Sequence, residues 1–295
     1  LLKYLYDHID QDTLEIDMIN FTGPNFADVD NRLMSLQLIK NDMTDAVMFG
    51  PDGNNLLPAA VLYKKNILAL RGSFRPVTKV NMDMFQKSYD IFIREQTVDM
   101  ENAIVVFEIT LSNLKASGEI DEQDFMDRAE LLCSLGHTVL ISKFQEYYKL
   151  VEYFNNYTKA KIGLTMGVNN LVDVFDEKYY RHLSGGILEA FGKLFFKDLK
   201  VYLYPMKDPE TGQVLTSNNV KVHPRMKELY KFFKYNGKVM DIIDYDPDVL
   251  HIFSRDVLKK IINKDEGWEK ELPEGIAEII KEKNLFTRKV LEEKE

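Results

Sequence analysis

Residues 67–85 read ILALRGSFRPVTKVNMDMF: a short apolar run, a glycine, then a segment whose apolar positions recur with helical spacing. The order strand, glycine turn, helix is one that builds phosphate sites. A glycine directly after a strand lets the backbone approach a ligand closely. The helix after it points its free N–H groups and the positive end of its dipole at whatever lies there. A plain strand-to-helix connection with Thr78 as the helix N-cap would spell the same letters without a ligand.

Outward from this stretch, short β-branched or apolar runs alternate with helical segments, the pattern of βα units around a parallel sheet. Strands are expected near 16–21, 45–49, 66–71, 103–109, 137–141, 161–166, 199–204 and 238–243. Helices are expected at 28–40, 55–64, 80–95, 122–135, 144–156, 170–181, 186–196, 224–235, 254–263 and 273–284. The polar loop 207–219, with Pro209 and Gly212, reads as a surface excursion. Residues 1–65 read as a βα extension, joined to the main sheet or left from an upstream domain, 66–286 as the main domain and 287–295 as a charged tail.

The 295 residues are 45% hydrophobic, enough for a buried core. A net charge of −9 with no basic block argues against capture of nucleic acid. No apolar run approaches the roughly 20 residues that span a bilayer, so no membrane partner is expected. The lone cysteine, Cys133, sits in the apolar run AELLCSL and reads as a small buried hydrophobe, which fits a reducing cytoplasm. The chain begins without methionine, which leaves open a missing N-terminal domain; a homo-oligomer is left open as well.

The letters of the opening stretch carry more. Gly72-Ser73-Phe74-Arg75-Pro76-Val77-Thr78 resembles the GSFDP(I/V)T-x-GH signature of nucleotidyltransferases that move an adenylyl group from ATP onto a mononucleotide or a pantetheine phosphate. In that family the turn and the first residue of its T/H-x-G-H motif hold the ATP phosphates, and the last histidine donates to the phosphate during attack. Carried over by position, Thr78 keeps the first role and Asn81 replaces the histidine, while Val80 stands for Gly and Arg75 for Asp. Asn donates only a neutral hydrogen bond, and charge-assisted bonds are roughly twice as strong. Arg75 and Lys79 are the cations at hand for a triphosphate.

Three further fragments keep the family order. IFSRDVLKKIINKDEGWEKELPEGIAEIIKEKNLF, residues 252–286, resembles the ISSTxIR closing motif with its Gly-containing turn and (L/V)P-x-x-V-x-x-Y-I run, and Ser254, Val257, Gly267, Leu272 and Pro273 are in step. Phe253, Arg255 and Leu258 stand where Ser, Thr and Arg are usual, and Arg255 and Lys259 are the nearest basic substitutes. Thr165-Met166-Gly167-Val168-Asn169-Asn170-Leu171 resembles the G-A-D-x-L acceptor motif, with Asn169 for the Asp, and Arg128 in DRAELL resembles the R-x-x-M-(L/V) run. The plainer readings make Ser254 an N-cap, Gly167 a turn residue, Asn169 and Asn170 caps, and Arg128 a solvated helix face.

The resemblance implies an α/β, Rossmann-like, doubly wound and mainly parallel sheet with helices on both faces. It also implies a member of the superfamily closest to nicotinate or nicotinamide mononucleotide adenylyltransferases, hence a place in NAD biosynthesis. Thr78, Asn81 and Lys259 are the implied catalytic residues. Gly72, Ser73, Phe74, Arg75, Lys79, Gly167, Asn169, Ser254 and Arg255 are the implied nucleotide-binding residues, with Mg2+ carried by ATP and no metal held by the protein. The altered motifs leave a second reading, a nucleotide-binding sensor or scaffold with impaired turnover.

The five histidines are scattered without metal spacing; His137 and His251 read as surface or capping residues. The acidic run from Asp241 to Asp248 reads as a solvated strand end or a magnesium lure. EYYKLVEYFNNY and ELYKFFKY read as core-packing helices, and Gly50-Pro51-Asp52-Gly53-Asn54 as a turn.

Overall fold

Each long strand buries alternate side chains on opposite faces, so the sheet needs a helical layer on both sides. The computed structural model describes residues 15–115 and 120–287, together with Tyr4 and His8. Its strands are β1 (Ala46–Phe49), β2 (Asn55–Leu56), β3 (Asn66–Arg71), β4 (Ala103–Thr110), β5 (Thr138–Ser142), β6 (Ile162–Gly167), β7 (Lys200–Tyr204), β8 (Met206–Lys207), β9 (Val214–Leu215) and β10 (Val239–Asp241). Helices are α1 (Asn31–Lys40), α2 (Pro58–Leu62), α3 (Lys79–Phe92), α4 (Leu111–Leu114), α5 (Glu122–Ser134), α6 (Tyr147–Tyr157), α7 (Val168–Val174), α8 (Gly186–Leu194), α9 (Lys227–Tyr235), α10 (Ser254–Asn263) and α11 (Ile276–Lys283).

The main sheet runs β10-β7-β6-β3-β4-β5-β1-β2. The six strands from β10 to β5 are parallel; β1 and β2 add antiparallel at one edge. From β3 the chain winds through β4 and β5 in one direction, then returns to β6 and β7 on the other side of β3. This is the doubly wound, Rossmann-like order, and it creates a switch point between β3 and β6. One face carries α1, α3, α5, α10 and α11 over Leu68, Leu70, Phe107, Ile109 and Tyr202. The other carries α6, α7 and α8 over Ile67, Ala69, Val106, Leu164 and Met166.

Several expectations need correction. No strand forms at 16–21, because the side chains of Asn31 and Asn55 take up backbone groups there: Phe21 N–H donates to Asn31 Oδ1 at 2.7 Å, and Asn55 Nδ2 donates to the Ile19 carbonyl at 2.9 Å. The run at 45–49 is a strand but an antiparallel one, turned back on β2 through the Gly50–Asn54 turn. Pairing of Leu56 with Met48 then delays the helix expected at 55–64 until Pro58. The loop 207–219 contains β9 and the second residue of β8, which pair as a small antiparallel ribbon. Residues 288–295 of the expected tail lie outside the described residues.

His137 is not a surface or capping residue. Its ring stacks on Phe107 at 4.3 Å between centroids and meets the Phe85 edge at 4.9 Å, and its Nε2 is buried without a partner among the described residues. Burial pulls its pKa down to about 4. An unfolded chain takes up that proton near pH 6.5, whereas the folded chain resists, so stability drains away as pH falls from about 6.5 towards 4 and the loss levels off below. Urea midpoints measured across this window are expected to fall, with His137→Phe flattening part of the slope; identical slopes for the two proteins would refute the assignment.

Candidate functional site

Parallel register sets Arg71, the last residue of β3, beside Glu108 of β4. Arg71 Nε donates to Glu108 Oε2 at 2.6 Å and Nη2 to Oε1 at 2.8 Å, a two-pronged pair with both side chains buried. Ser142 Oγ, at the end of β5, donates to Glu108 Oε1 at 2.6 Å, and Arg71 Nη1 donates to the Gln145 carbonyl at 2.8 Å. The guanidinium lies over the Tyr147 ring, 4.2 Å from its centroid. Burial opposes the Arg71 charge, but Glu108 more than offsets it and the Arg71 pKa is raised.

A crevice of about 620 Å3 borders this pair. It lies at the C-terminal ends of β3 and β4 and the start of α7, which places it at the switch point where open α/β sheets bind ligands. Its size falls within the roughly 300–1,000 Å3 of small-molecule sites. Ser73, Thr110, Ser112, Asn113 and Asn170 line it with neutral polar groups. Thr110 Oγ1 is tied to Ser112 Oγ at 2.7 Å and caps α4 by accepting from the Asn113 N–H at 3.3 Å. The lining also holds Glu146, Asp173 and the rings of Tyr147, Tyr179 and Tyr180. Among the described residues Arg71 is its only cation and is committed to Glu108, so the walls offer hydrogen bonds and aromatic surface without free positive charge.

The expected site residues divide into three groups. Gly72 and Ser73 line the crevice, and Ser73 is exposed there. A Cβ at position 72 would lie 2.8 Å from the Phe74 ring, so the close approach that requires glycine is made by that ring. Phe74 is buried against Phe107, 5.3 Å between centroids, with a left-handed φ of 46°. Gly167 ends β6 just before α7; Asn169 is exposed, its Nδ2 3.3 Å from the Met206 sulfur, while its neighbour Asn170 is the one that reaches the lining.

The second group is spent on local structure. Thr78 is fully buried as the N-cap of α3, and its N–H and Oγ1 both donate to Asn81 Oδ1, at 2.9 and 3.0 Å. That is a reciprocal cap of the helix start. Arg75 Nε donates to Asp124 Oδ1 at 2.5 Å, away from the crevice. Lys79 is exposed in the first turn of α3.

The third group is not part of the lining. Ser254 is the first residue of α10, with Val257 and Ile261 packed inward. Arg255 is exposed over the Phe253 ring at 5.6 Å, and Lys259 is exposed. Leu258, in the place of the family arginine, shares a separate cavity of about 300 Å3 with Arg75 and Asp124. Asp241 accepts from the Ser217 N–H at 2.8 Å and hydroxyl at 2.6 Å. Among the described residues no cluster of three or more His, Cys, Asp or Glu could hold a metal ion, and no helix is long and apolar enough to cross a membrane.

Sequence reasoning missed Arg71, Glu108 and Tyr147. The signal was present in LALR and VVFE: one charged residue, of opposite sign, at or near the end of each of two adjacent apolar strands. Tyr147 was read only as packing, yet its hydroxyl is buried with no partner among the described residues, and burial raises its pKa.

Glu108→Gln strands the buried Arg71 charge and is expected to cost about 3 kcal/mol in urea unfolding; a loss below about 1 kcal/mol would show that the pair is open to water. Tyr147→Phe keeps the ring beneath Arg71 and removes an unpaired donor. A gain of about 1 kcal/mol is expected, read as a Tm about 2 °C higher, whereas a lower Tm would show the hydroxyl to be bonded.

The chain matches no protein-family model, and no curated protein matches it. It is similar to a solved structure of Plasmodium falciparum nicotinic acid mononucleotide adenylyltransferase complexed with NaAD, at 14% identity and a TM-score of 0.46, over 75% of this chain and 97% of that one. It is similar also to the same enzyme complexed with APC, at 13% identity and a TM-score of 0.43, over 75% and 97% of the two chains.

Proposed function

We propose that the chain is a nucleotidyltransferase-like protein that binds a nucleotide in the crevice at the C-terminal ends of β3 and β4 and the start of α7. One observation carries this reading: the crevice of about 620 Å3 lies at the switch point of a doubly wound sheet, with the Gly72-Ser73 turn in its wall. The order of the sequence fragments, each resembling part of one adenylyl-transfer family, supports the same reading. The hydroxyl and amide groups of Ser73, Thr110, Asn113 and Asn170 suit a ribose or a base edge.

The reaction proposed for this frame is adenylyl transfer from ATP to nicotinate or nicotinamide mononucleotide, or to a similar phosphate acceptor. The acceptor phosphate attacks the α-phosphate in line and pyrophosphate leaves, with catalysis by positioning and charge neutralisation. Magnesium arrives on the triphosphate. Because the crevice supplies no free cation among the described residues, the phosphates depend on exposed charges outside it, of which Lys79, Arg255 and Lys259 are the candidates.

Specific geometry favours a second reading, a nucleotide-binding sensor or scaffold with impaired turnover. Thr78 and Asn81 are bonded to each other, Arg75 is paired with Asp124, and Leu258 occupies the place of the closing arginine. Each is a polar role of the family that this chain uses for packing or has replaced.

Calorimetry with MgATP and a panel of mononucleotides, alongside a pyrophosphate-release assay, separates the two readings. Binding is expected, and Ser73→Trp, which fills the crevice, is expected to weaken it at least tenfold at unchanged fold content. Pyrophosphate release that Lys259→Ala abolishes supports the transferase; binding without release supports the impaired module. Binding that Ser73→Trp leaves intact, or no binding at all, sinks the crevice assignment.

A further inference from the structure

Arg128 is a helix residue of α5, yet it is 1% exposed and reaches through the core to two loops at once. Its Nη1 donates to the Ser73 carbonyl at 3.1 Å and to the Asn113 carbonyl at 3.1 Å. Ser73 belongs to the turn after β3 and Asn113 to α4, immediately after β4, and both line the crevice. On its other edge Nη2 is bonded to Asp124, one turn earlier on α5, and Asp124 in turn accepts from Arg75 Nε at 2.5 Å. A weaker tie runs beside it, from Asn113 Nδ2 to the Gly72 carbonyl at 3.5 Å.

A planar guanidinium presents its donors in a fixed fork, so two acceptors bonded to one nitrogen are held at a set separation. Burial alone disfavours the Arg128 charge, and Asp124 offsets only part of that. The cation is therefore retained in the core at a cost to stability, and apolar residues of similar volume would fill the same space more cheaply. The return is geometric, because the loops after β3 and β4 have no ladder to hold them together once the strands end.

We infer that Arg128 is a positioning residue for the crevice, a strut that locks the turn at Ser73 to the turn at Asn113 and so sets the width of the opening between β3 and β4. Arg75 belongs to the same device: it helps hold Asp124, which holds Arg128. The sequence places Arg75 in a turn where a phosphate contact is expected and makes Arg128 a solvated helix face in its plainer reading, but both charges are turned inward, Arg128 to fix backbone carbonyls and Arg75 to hold Asp124. The consequence for ligand binding rests on the nucleotide reading above; the strut itself does not.

Hydrogen exchange on the full chain, without ligand, tests the strut directly. Arg128→Lys retains charge and length but loses the fork, and is expected to speed exchange at residues 72–74 and 113–115 together by about tenfold. The strands β3 to β6 should keep their protection. Faster exchange in only one of the two segments, or in neither, overturns the inference. If Arg128→Lys does not fold, 15N-arginine NMR of the unaltered chain decides instead. Slowly exchanging Arg128 Nη1 protons with through-bond coupling to the Ser73 and Asn113 carbonyls support the strut, and rapidly exchanging ones overturn it. Calorimetry with MgATP on the same variant gives the second readout: affinity about tenfold weaker at a Tm within a few degrees of the parent marks positioning, whereas a lower Tm with unchanged affinity marks a merely structural residue and overturns the inference. Paired loosening in a protein that binds no nucleotide upholds the strut and removes the nucleotide reading alone.

Discussion

The buried pair Arg71–Glu108 is the constraint on which the functional end of the sheet depends. The strands that carry it, NILALR and AIVVFEIT, are apolar on both faces, so hydrophobic patterning says little about their mutual register. A slip of two residues would preserve the pattern of buried aliphatics but would leave a guanidinium and a carboxylate buried apart. The pair adds little net stability compared with an apolar contact; its effect is to make one alignment far cheaper than its neighbours. With register fixed, Ser142 of β5 reaches the same carboxylate, the Gln145 carbonyl reaches the same guanidinium, and Tyr147 is drawn under it. The floor of the crevice and the start of α6 thus depend on one salt bridge.

The crevice that results is polar without being cationic. Its arginine is neutralised, two carboxylates stand in its wall, and the remaining groups are hydroxyls, amides and phenols. Such a lining can read the hydrogen-bonding edge of a ligand, but polyphosphate charge must be met elsewhere. The positive ends of α3 and α10 and the exposed Lys79, Arg255 and Lys259 lie outside its lining. On the nucleotide reading proposed above, the neutral crevice and the exposed cations outside it would divide ligand recognition from charge neutralisation.

The sheet was legible because βα alternation is written in the period of the apolar residues; seven of the expected strands and the order of helices come from it. What failed did so for local reasons. Residues 16–21 have strand-like letters, but asparagine side chains capture their backbone groups before a neighbouring strand can. At 45–49 the direction of the strand depends on a five-residue turn, which the period cannot see. For the site, Gly72 and Ser73 were readable from position alone. Asn170 was missed in favour of Asn169, since a shift of one residue on a helix start changes which side chain faces inward. Arg75, Arg128 and Thr78 carry groups that could serve either a phosphate or a partner within the protein. Only their partners decide between the two, and those partners lie 49, 55 and 3 residues away in the chain.

The three letters Gly72-Ser73-Phe74 bear on how such signatures should be read across genomes. The glycine is required because the phenylalanine folds its ring back upon it, and the phenylalanine is anchored by Phe107 in the interior. Neither can drift without the other, whatever the turn now binds. A spelling enforced by packing in this way needs no ligand to explain it. The letters GSF are thus accounted for by packing in this chain, while the hydroxyl, amide and guanidinium groups around them carry the chemistry that the turn offers a ligand.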